Sequence, residues 1–253
     1  MLISVITPSF NRLPYLKEAI ASVQSSITAP LDIQIEHIIH DTGSTDGTLE
    51  WLQEGNLPQN VKWIRSNEKL PPGKARHAAI ELSAGEYIMP LDDDDILLQR
   101  TVHNFAWHIN QPNQRPVSWL VSDFLRVDEK LTYMKNEDYY GWFFQSTEEM
   151  LRAIFSAQHF IQGNVCFSRE LYNQAGGYDQ TMTMAEDLDL YVRFVLENEL
   201  PHYAPFISHL HRMHSHNISI GVDKDKHQHD LTDIYQKNAP RLEKRGIRME
   251  QLT

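Results

Sequence analysis

Residues 87–95 read Tyr-Ile-Met-Pro-Leu-Asp-Asp-Asp-Asp, a short apolar run followed by four aspartates. We expect a strand over residues 87–91 and a loop at its carboxyl end carrying the acidic tetrad Asp92, Asp93, Asp94 and Asp95. Clustered carboxylates repel one another unless a cation or raised pKa values relieve them, and oxygen-rich clusters suit Mg2+ or Mn2+. A divalent metal is the simplest interpretation. A solvated acidic loop that caps a following helix stays open as the alternative.

The chain before the tetrad alternates between strand and helix patterns. Strands are expected at residues 2–6, 33–39 and 61–64, and helices at about 13–23, 48–53 and 74–83, with Asn11 capping the first helix. This order predicts an α/β fold: a single domain with a mostly parallel central sheet flanked by helices. Loops 7–12, 41–47 and 92–95 should then face one crevice, where such sheets bind ligands.

The second half of the chain is less regular. Helical spacing is found at residues 97–110, 147–155, 168–174 and 188–196, and residues 117–127 have a strand pattern. The last of these helices begins beside Glu186 and Asp187. We assign residues 1–222 to the main domain and residues 223–253 to a polar, helical C-terminal extension, with Leu231 and Ile234 at helical spacing.

Composition limits the classes of function. With 34 acidic and 23 basic residues the formal charge is -11, so we expect no nucleic-acid partner, because no basic excess exists to neutralise a phosphate backbone. The single cysteine, Cys166, lies in an apolar stretch and is interpreted as a buried thiol. No apolar run approaches roughly 20 residues, and the N-terminus resembles a first strand rather than a signal peptide. We therefore expect a cytoplasmic protein without a transmembrane segment; peripheral contact with the inner face of the membrane stays open.

Several familiar nucleotide and metal motifs are missing. Residues 41–52 have too few carboxylates for a calcium loop, and residues 71–75 lack the spaced glycines and Ser/Thr of a phosphate-binding P-loop. The histidines His209, His211, His214 and His216 have no carboxylate or cysteine at a familiar zinc spacing. We interpret that run as a polar loop with satisfied histidines.

Five segments occur in a characteristic order: 5–12 (Val-Ile-Thr-Pro-Ser-Phe-Asn-Arg), 41–48 (Asp-Thr-Gly-Ser-Thr-Asp-Gly-Thr), 73–77 (Gly-Lys-Ala-Arg-His), 85–88 (Gly-Glu-Tyr-Ile) and 91–95 (Leu-Asp-Asp-Asp-Asp). Together they resemble the family 2 glycosyltransferases, which have the GT-A fold. The resemblance implies that residues 1–100 bind a nucleotide-sugar donor and residues 101–222 mainly bind a carbohydrate or glycolipid acceptor. It also implies inversion at the anomeric carbon.

The same resemblance implies roles for residues of the donor half. The tetrad is similar to the D-x-D motif, in which Asp94 matches the metal ligand and Asp92 or Asp93 matches a contact to the ribose or to a water on the metal. The remaining matches are Thr7, Pro8 and Asn11 in the first nucleotide-binding loop, Asp41 in the second, and Arg76 as the basic residue that helps to hold the nucleotide. A surface helix arginine stays open as the alternative for Arg76. Thr42 replaces the second acid that contacts the base in many members, so the donor nucleotide is not specified.

In the second half, residues 163–168 and 176–179 resemble the family's segment before its catalytic acid. An inverting transfer needs a carboxylate to accept the proton of the acceptor hydroxyl. Asp187 matches that base and Glu186 lies beside it on the acceptor side, although both could simply favour a helix N-terminus. His214, within Arg-Met-His at 212–214, matches a position that completes the metal shell or contacts the diphosphate.

The resulting hypothesis is a metal-dependent inverting glycosyltransferase, with polysaccharide, lipopolysaccharide or glycolipid assembly as the family expectation. Two alternatives stay open: a catalytically silent nucleotide-sugar or carbohydrate-binding relative, and a nucleotidyltransferase. The transferred sugar, the acceptor and the oligomeric state cannot be read from the sequence, because selectivity depends on a few pocket contacts.

Overall fold

The computed structural model describes residues 1–55, 57–111, 117–135, 143–158, 161–215, 217 and 224–248. Its strands are β1 (Leu2–Ser9), β2 (Gln34–Asp41), β3 (Val61–Arg65), β4 (Tyr87–Pro90), β5 (Ile96–Leu97), β6 (Trp119–Asp128), β7 (Val165–Ser168) and β8 (His202–Met213). Its helices are α1 (Leu13–Gln24), α2 (Thr48–Gln53), α3 (Pro72–Leu82), α4 (Thr101–Ile109), α5 (Thr147–Phe155), α6 (Arg169–Gln174), α7 (Glu186–Leu196) and α8 (Lys224–Lys244).

One eight-stranded sheet runs through both halves of the chain in the order β3-β2-β1-β4-β7-β6-β8-β5. Strands β3, β2, β1 and β4 are parallel, as the alternation of strands and helices predicts. Strand β7 is antiparallel to both of its neighbours, β6 is parallel to β8, and β5 is antiparallel to β8. The single α/β domain is confirmed, with a mixed sheet in which parallel pairings predominate among the described strands.

Both faces of the sheet are covered by helices. Ile6, Ile38 and Ile88 point to one face, into a core shared with α3, α5, α6, α7 and α8. Val5 and Met89 point to the other face and pack with α1 and α4. Strands that are buried on both faces are apolar at successive positions, which explains the continuous hydrophobic runs in the sequence.

The structure differs from the expected local structure at several places. Residues 97–100 are not helical, since β5 pairs with β8 there and α4 begins at Thr101. Strand β7 was not predicted. The histidine run was expected to be a loop, but His209 and His211 belong to β8, which ends at Met213 and pairs with β6. The register shift between β6 and β8 falls near Pro205, where a bulge accommodates a residue that cannot donate a ladder hydrogen bond.

The C-terminal helix joins the same core. In α8, Leu231, Ile234 and Leu242 are fully buried and pack into the cluster beneath α5 and α7. The division of the chain at residue 222 stays a prediction, and residues 218–223 lie outside the described part. None of the helices in the described segments is both long and apolar enough to cross a membrane.

Candidate active site

The acidic tetrad lies at the carboxyl end of β4 and is largely withdrawn from solvent. Asp93, Asp94 and Asp95 are each at most 4% exposed, whereas the Asp92 side chain is 44% exposed. One carboxylate oxygen from each of Asp92, Asp94 and Asp95 lies within 4.8 Å of the others. Burial of three members excludes the solvated-loop alternative, and the next helix begins only at Thr101.

Two residues of the first loop contact the tetrad. Ser9 Oγ donates to Asp93 Oδ2 at 2.8 Å, and Arg12 Nη1 lies 3.0 Å from Asp93 Oδ1 and 2.6 Å from Asp94 Oδ2. Even so, burial raises the pKa of Asp93 to about 6, and burial together with the neighbouring aspartates raises the pKa of Asp94 to about 8. Arg12 alone therefore does not neutralise the aspartate cluster. The negative charge of the cluster and its carboxylate oxygens fit a divalent cation.

His214 reaches the tetrad from the end of β8. Its Nε2 lies 2.9 Å from Asp94 Oδ2, and the ring of Tyr15 stacks on it with centroids 5.0 Å apart. Asn217 Nδ2 lies 3.3 Å from the same oxygen. The two residues predicted as metal ligands, Asp94 and His214, are thus in direct contact although 120 residues separate them. His216 lies outside the described residues.

Arg76 connects the tetrad to the second half of the chain. Its guanidinium donates to Asp92 Oδ1 at 2.5 Å through Nη2 and to Glu186 through Nη1. The side chain is 11% exposed, so Arg76 is not a surface helix arginine. Gly73 allows this approach of α3 to α7: a Cβ there would lie 2.8 Å from the Asp179 carbonyl oxygen and 3.1 Å from Glu186 Cβ.

Asp187 faces a cleft beside this bridge. The cleft has an empty volume of about 340 Å³ and is lined by Asp187 together with Arg76, Asp92, Tyr178 and, among others, Asp95 and His209. Glu186 and Asp187 occupy the first turn of α7, where a helix dipole favours acids. Burial raises the pKa of both carboxyls, to about 7 for Glu186. Glu186 is bound by Arg76, whereas partly exposed Asp187 faces the open space.

The first two loops are held together at the carboxyl ends of β1 and β2. The prediction that Asn11 caps α1 is wrong. Its side-chain oxygen accepts a hydrogen bond from Thr45 N at 2.7 Å. Instead, Asp46 Oδ2 accepts from Leu13 N at 2.9 Å, so the second loop caps the first helix. The Thr42 hydroxyl donates to the Ser9 carbonyl at 3.1 Å.

The other predicted donor residues are more enclosed. Thr7 is fully buried and its hydroxyl lies 2.8 Å from His37 Nε2, while Pro8 is half-buried. Asp41 is fully buried, accepts from Ser44 N at 3.0 Å and is paired with Arg65. These three residues lie at the carboxyl ends of β1 and β2.

Comparison with known proteins identifies the family to which the chain belongs. The family model described as "Glycosyl transferase family 2" matches residues 4–176, more than half of the chain. The chain belongs to glycosyltransferase family 2. Among curated members, the chondroitin synthase of Escherichia coli is 27% identical over 237 residues, which cover 89% of this chain and 31% of that protein. The abequosyltransferase RfbV of Salmonella typhimurium is 36% identical over 101 residues, covering 38% of this chain and 29% of that protein. The chain thus spans about a third of the length of these relatives.

Solved structures of similar fold support the GT-A architecture. Staphylococcus aureus TarS 1–349 in complex with UDP-GlcNAc has a TM-score of 0.70 at 19% identity, covering 96% of this chain and 66% of that one. The mannosyltransferase PcManGT of Pyrobaculum calidifontis, in complex with GDP-Man and Mn2+, has a TM-score of 0.62 at 18% identity, covering 85% and 58%. At these identities the likeness shows the fold.

Several residues of the cleft in this family 2 member were not assigned from the sequence. Arg12 lies in a quoted motif, but only the fold shows that it contacts Asp93 and Asp94. Tyr178 is buried beside Arg76, and among the described residues its hydroxyl has no hydrogen-bond partner. The two-residue spacing of His209 and His211 is the one signal that could have indicated a strand with both side chains on one face.

Proposed function

We propose that this chain is a metal-dependent inverting glycosyltransferase that transfers a sugar from a nucleoside-diphosphate sugar to an acceptor hydroxyl. The observation that carries the proposal is that two members of the tetrad, Asp92 and Asp95, line one cleft together with Arg76 and Asp187, between the two halves of the sheet. Relatives that include a chondroitin synthase and an abequosyltransferase support a role in polysaccharide, lipopolysaccharide or glycolipid assembly. The acceptor is accordingly a carbohydrate or a glycolipid.

The donor occupies the crevice at the carboxyl ends of β1, β2 and β4. Thr7, Pro8, Asn11 and Asp41 shape its nucleoside end, and Arg76, Asp92 and Asp93 lie on the side of the ribose and diphosphate. TarS in complex with UDP-GlcNAc and PcManGT in complex with GDP-Man support a nucleotide sugar as the ligand of this fold. Thr42 offers a hydroxyl rather than a carboxylate at this position, and that hydroxyl donates to the Ser9 carbonyl.

The residues present fit a divalent cation. Asp94, whose pKa is raised by burial and by its acidic neighbours, and His214 would hold it, with Asp92 within reach. Mn2+ or Mg2+ bound there would neutralise the diphosphate and stabilise the departing nucleoside diphosphate. This also explains how a chain with a formal charge of -11 binds a polyanion.

Asp187 acts as the general base. Its carboxylate accepts the proton of the acceptor hydroxyl while that oxygen forms a bond to the anomeric carbon. The bond from that carbon to the phosphate oxygen breaks on the opposite face, and the electron pair leaves with the nucleoside diphosphate. Glu186 lies on the acceptor side, and its contact with Arg76 fixes the start of α7 relative to Asp92.

Thermal shifts with UDP-, GDP- and other nucleotide sugars test the donor assignment in the presence of Mn2+. A cognate donor at 100 times its Kd stabilises the fold by about 2.7 kcal/mol, which corresponds to a Tm rise of roughly 5–10 °C for a chain of this size. A chelator should abolish the shift. No shift with any nucleotide would refute donor binding. A shift without turnover, with or without acceptor, would indicate a silent binding relative.

A further inference from the structure

A second cluster of metal-ligand groups shares Asp95 with the tetrad and takes no part in the chemistry above. Asp95, His209 and His211 each present one ligand atom within 4.8 Å of the others. Their side chains are 5%, 4% and 17% exposed. Two of these residues belong to β8, which has its own pairing with β6, so the cluster does not depend on the assignment of Asp94 or His214.

The separations between these atoms fit a metal better than hydrogen bonds. His211 Nδ1 lies 3.4 Å and His209 Nε2 lies 3.6 Å from the same oxygen, Asp95 Oδ2. Good N–H···O hydrogen bonds are shorter, at about 2.7–3.2 Å. Tetrahedral coordination with bonds of about 2.0–2.1 Å separates neighbouring ligand atoms by roughly 3.3 Å. The two rings stand nearly perpendicular, at 86°, with their centroids 6.4 Å apart.

The second polar atoms of Asp95 and His209 are already held by other groups. Arg212 N donates to Asp95 Oδ1 at 3.0 Å, which leaves Oδ2 directed toward the histidines. His209 Nδ1 lies 2.9 Å from Ser208 Oγ, a contact that fixes the ring and leaves Nε2 available. The Phe124 ring packs against both imidazoles, at 5.4 and 5.8 Å between centroids. Such outer contacts orient metal ligands in advance of binding.

We propose that Asp95, His209 and His211 form a binding site for a transition-metal cation, Zn2+ in particular, distinct from the Asp94 and His214 site. Two imidazoles and one carboxylate suit Zn2+, whereas Mg2+ prefers oxygen ligands alone. Asp95 and His209 also line the cleft, so the fourth coordination position is accessible from it. Binding there joins the tetrad loop to β8.

Cobalt spectroscopy on the full chain tests the proposal without reference to activity. Chelator-treated protein is titrated with Co2+, and the visible absorption of four-coordinate cobalt is recorded and then displaced with Zn2+. We expect one tight equivalent whose affinity falls roughly tenfold or more in His209→Gln and in His211→Gln, since even outer contacts of a ligand are worth that much. Asp94→Asn should retain the signal, which separates this site from the cation of the proposed function.

The matched control is His229→Gln, which removes an exposed histidine of α8, 74% exposed, and should change nothing. Absence of the four-coordinate signal in the wild-type chain would overturn the proposal and leave an Asp95–His211 ion pair. Retention of the signal in both histidine variants would also overturn it. The wild-type titration decides the question even if His209→Gln, which alters a buried residue, does not fold.

Discussion

Replacement of Arg76 by methionine removes the link between the tetrad and α7. The guanidinium pairs with Glu186, whose side chain is 6% exposed, and with Asp92, whose side chain is 44% exposed. Loss of one partner from a buried pair costs about 3–5 kcal/mol, whereas an exposed partner adds no more than about 1 kcal/mol. Because Glu186 can respond by binding a proton, we expect a loss of roughly 2–4 kcal/mol of unfolding free energy at pH 8.

The pH dependence of that loss follows from Glu186. Burial raises its pKa to about 7, and removal of the Arg76 charge raises this folded-state pKa further above the unfolded value. A carboxyl with a raised pKa contributes stability that is present at low pH and lost as the pH rises through the folded pKa. The Arg76→Met deficit should therefore shrink by roughly 1 kcal/mol between pH 8 and pH 6.

Urea unfolding at both pH values measures the effect. Lys74→Met is the matched control, because Lys74 is exposed on the same helix and should change stability by less than about 0.5 kcal/mol. Arg76→Lys keeps the positive charge but cannot bind Asp92 and Glu186 through two separate guanidinium nitrogens, so its loss of unfolding free energy should be intermediate between those of Arg76→Met and Lys74→Met. Equal losses for Arg76→Met and Lys74→Met, or a deficit that grows toward pH 6, would refute the bridge.

Three further outcomes are expected. In urea unfolding, Gly73→Ala should lower the free energy of unfolding by about 1–3 kcal/mol, because the added Cβ would lie 2.8 Å from the Asp179 carbonyl oxygen. Gly163→Ala is the control and should not lower it, because no atom lies within 4 Å of a Cβ there. Equal effects of the two substitutions would count against close packing of α3 on α7. Tyr178→Phe removes a buried hydroxyl that has no hydrogen-bond partner among the described residues, so the free energy of unfolding should stay the same or rise. Because Tyr178 lines the cleft, kcat/KM should fall. An unchanged kcat/KM would mean that the hydroxyl contacts no ligand. The Tm rise on adding Mn2+ should be larger at pH 8 than at pH 6. With a pKa of about 8, Asp94 is about half ionised at pH 8 and almost fully protonated at pH 6, and only the ionised carboxylate binds the cation; the reverse order would exclude Asp94.

The donor half of the fold could be predicted from local patterns. Its strands are buried on both faces, so continuous apolar runs mark them, and the helix over Thr48–Gln53 was predicted to the residue. The grouping of polar loops at one edge follows from parallel pairing alone. Ser9 and Asp41 are indeed register partners at the ends of β1 and β2.

The second half could not be predicted as well, because its pairings are distant in sequence. Strand β8 pairs with β6 across about 80 residues and contains Pro205 and three polar histidines, so no local apolar run marks it. The partner of Arg76 in α7 is 110 residues away. The sequence could supply candidates such as Asp187 through family resemblance, but contacts of this kind depend on the tertiary fold.

The Asp187→Asn variant tests whether this carboxylate is the general base. Donor binding is measured by thermal shift in the presence of Mn2+, and transfer is measured as the release of nucleoside diphosphate with and without acceptor. Glu170→Gln, which replaces an exposed acid on α6, is the control. The variant should bind the donor like the wild-type chain and lose transfer by at least about 100-fold, the lower range for a general base. Full transfer by Asp187→Asn would exclude Asp187 as the general base.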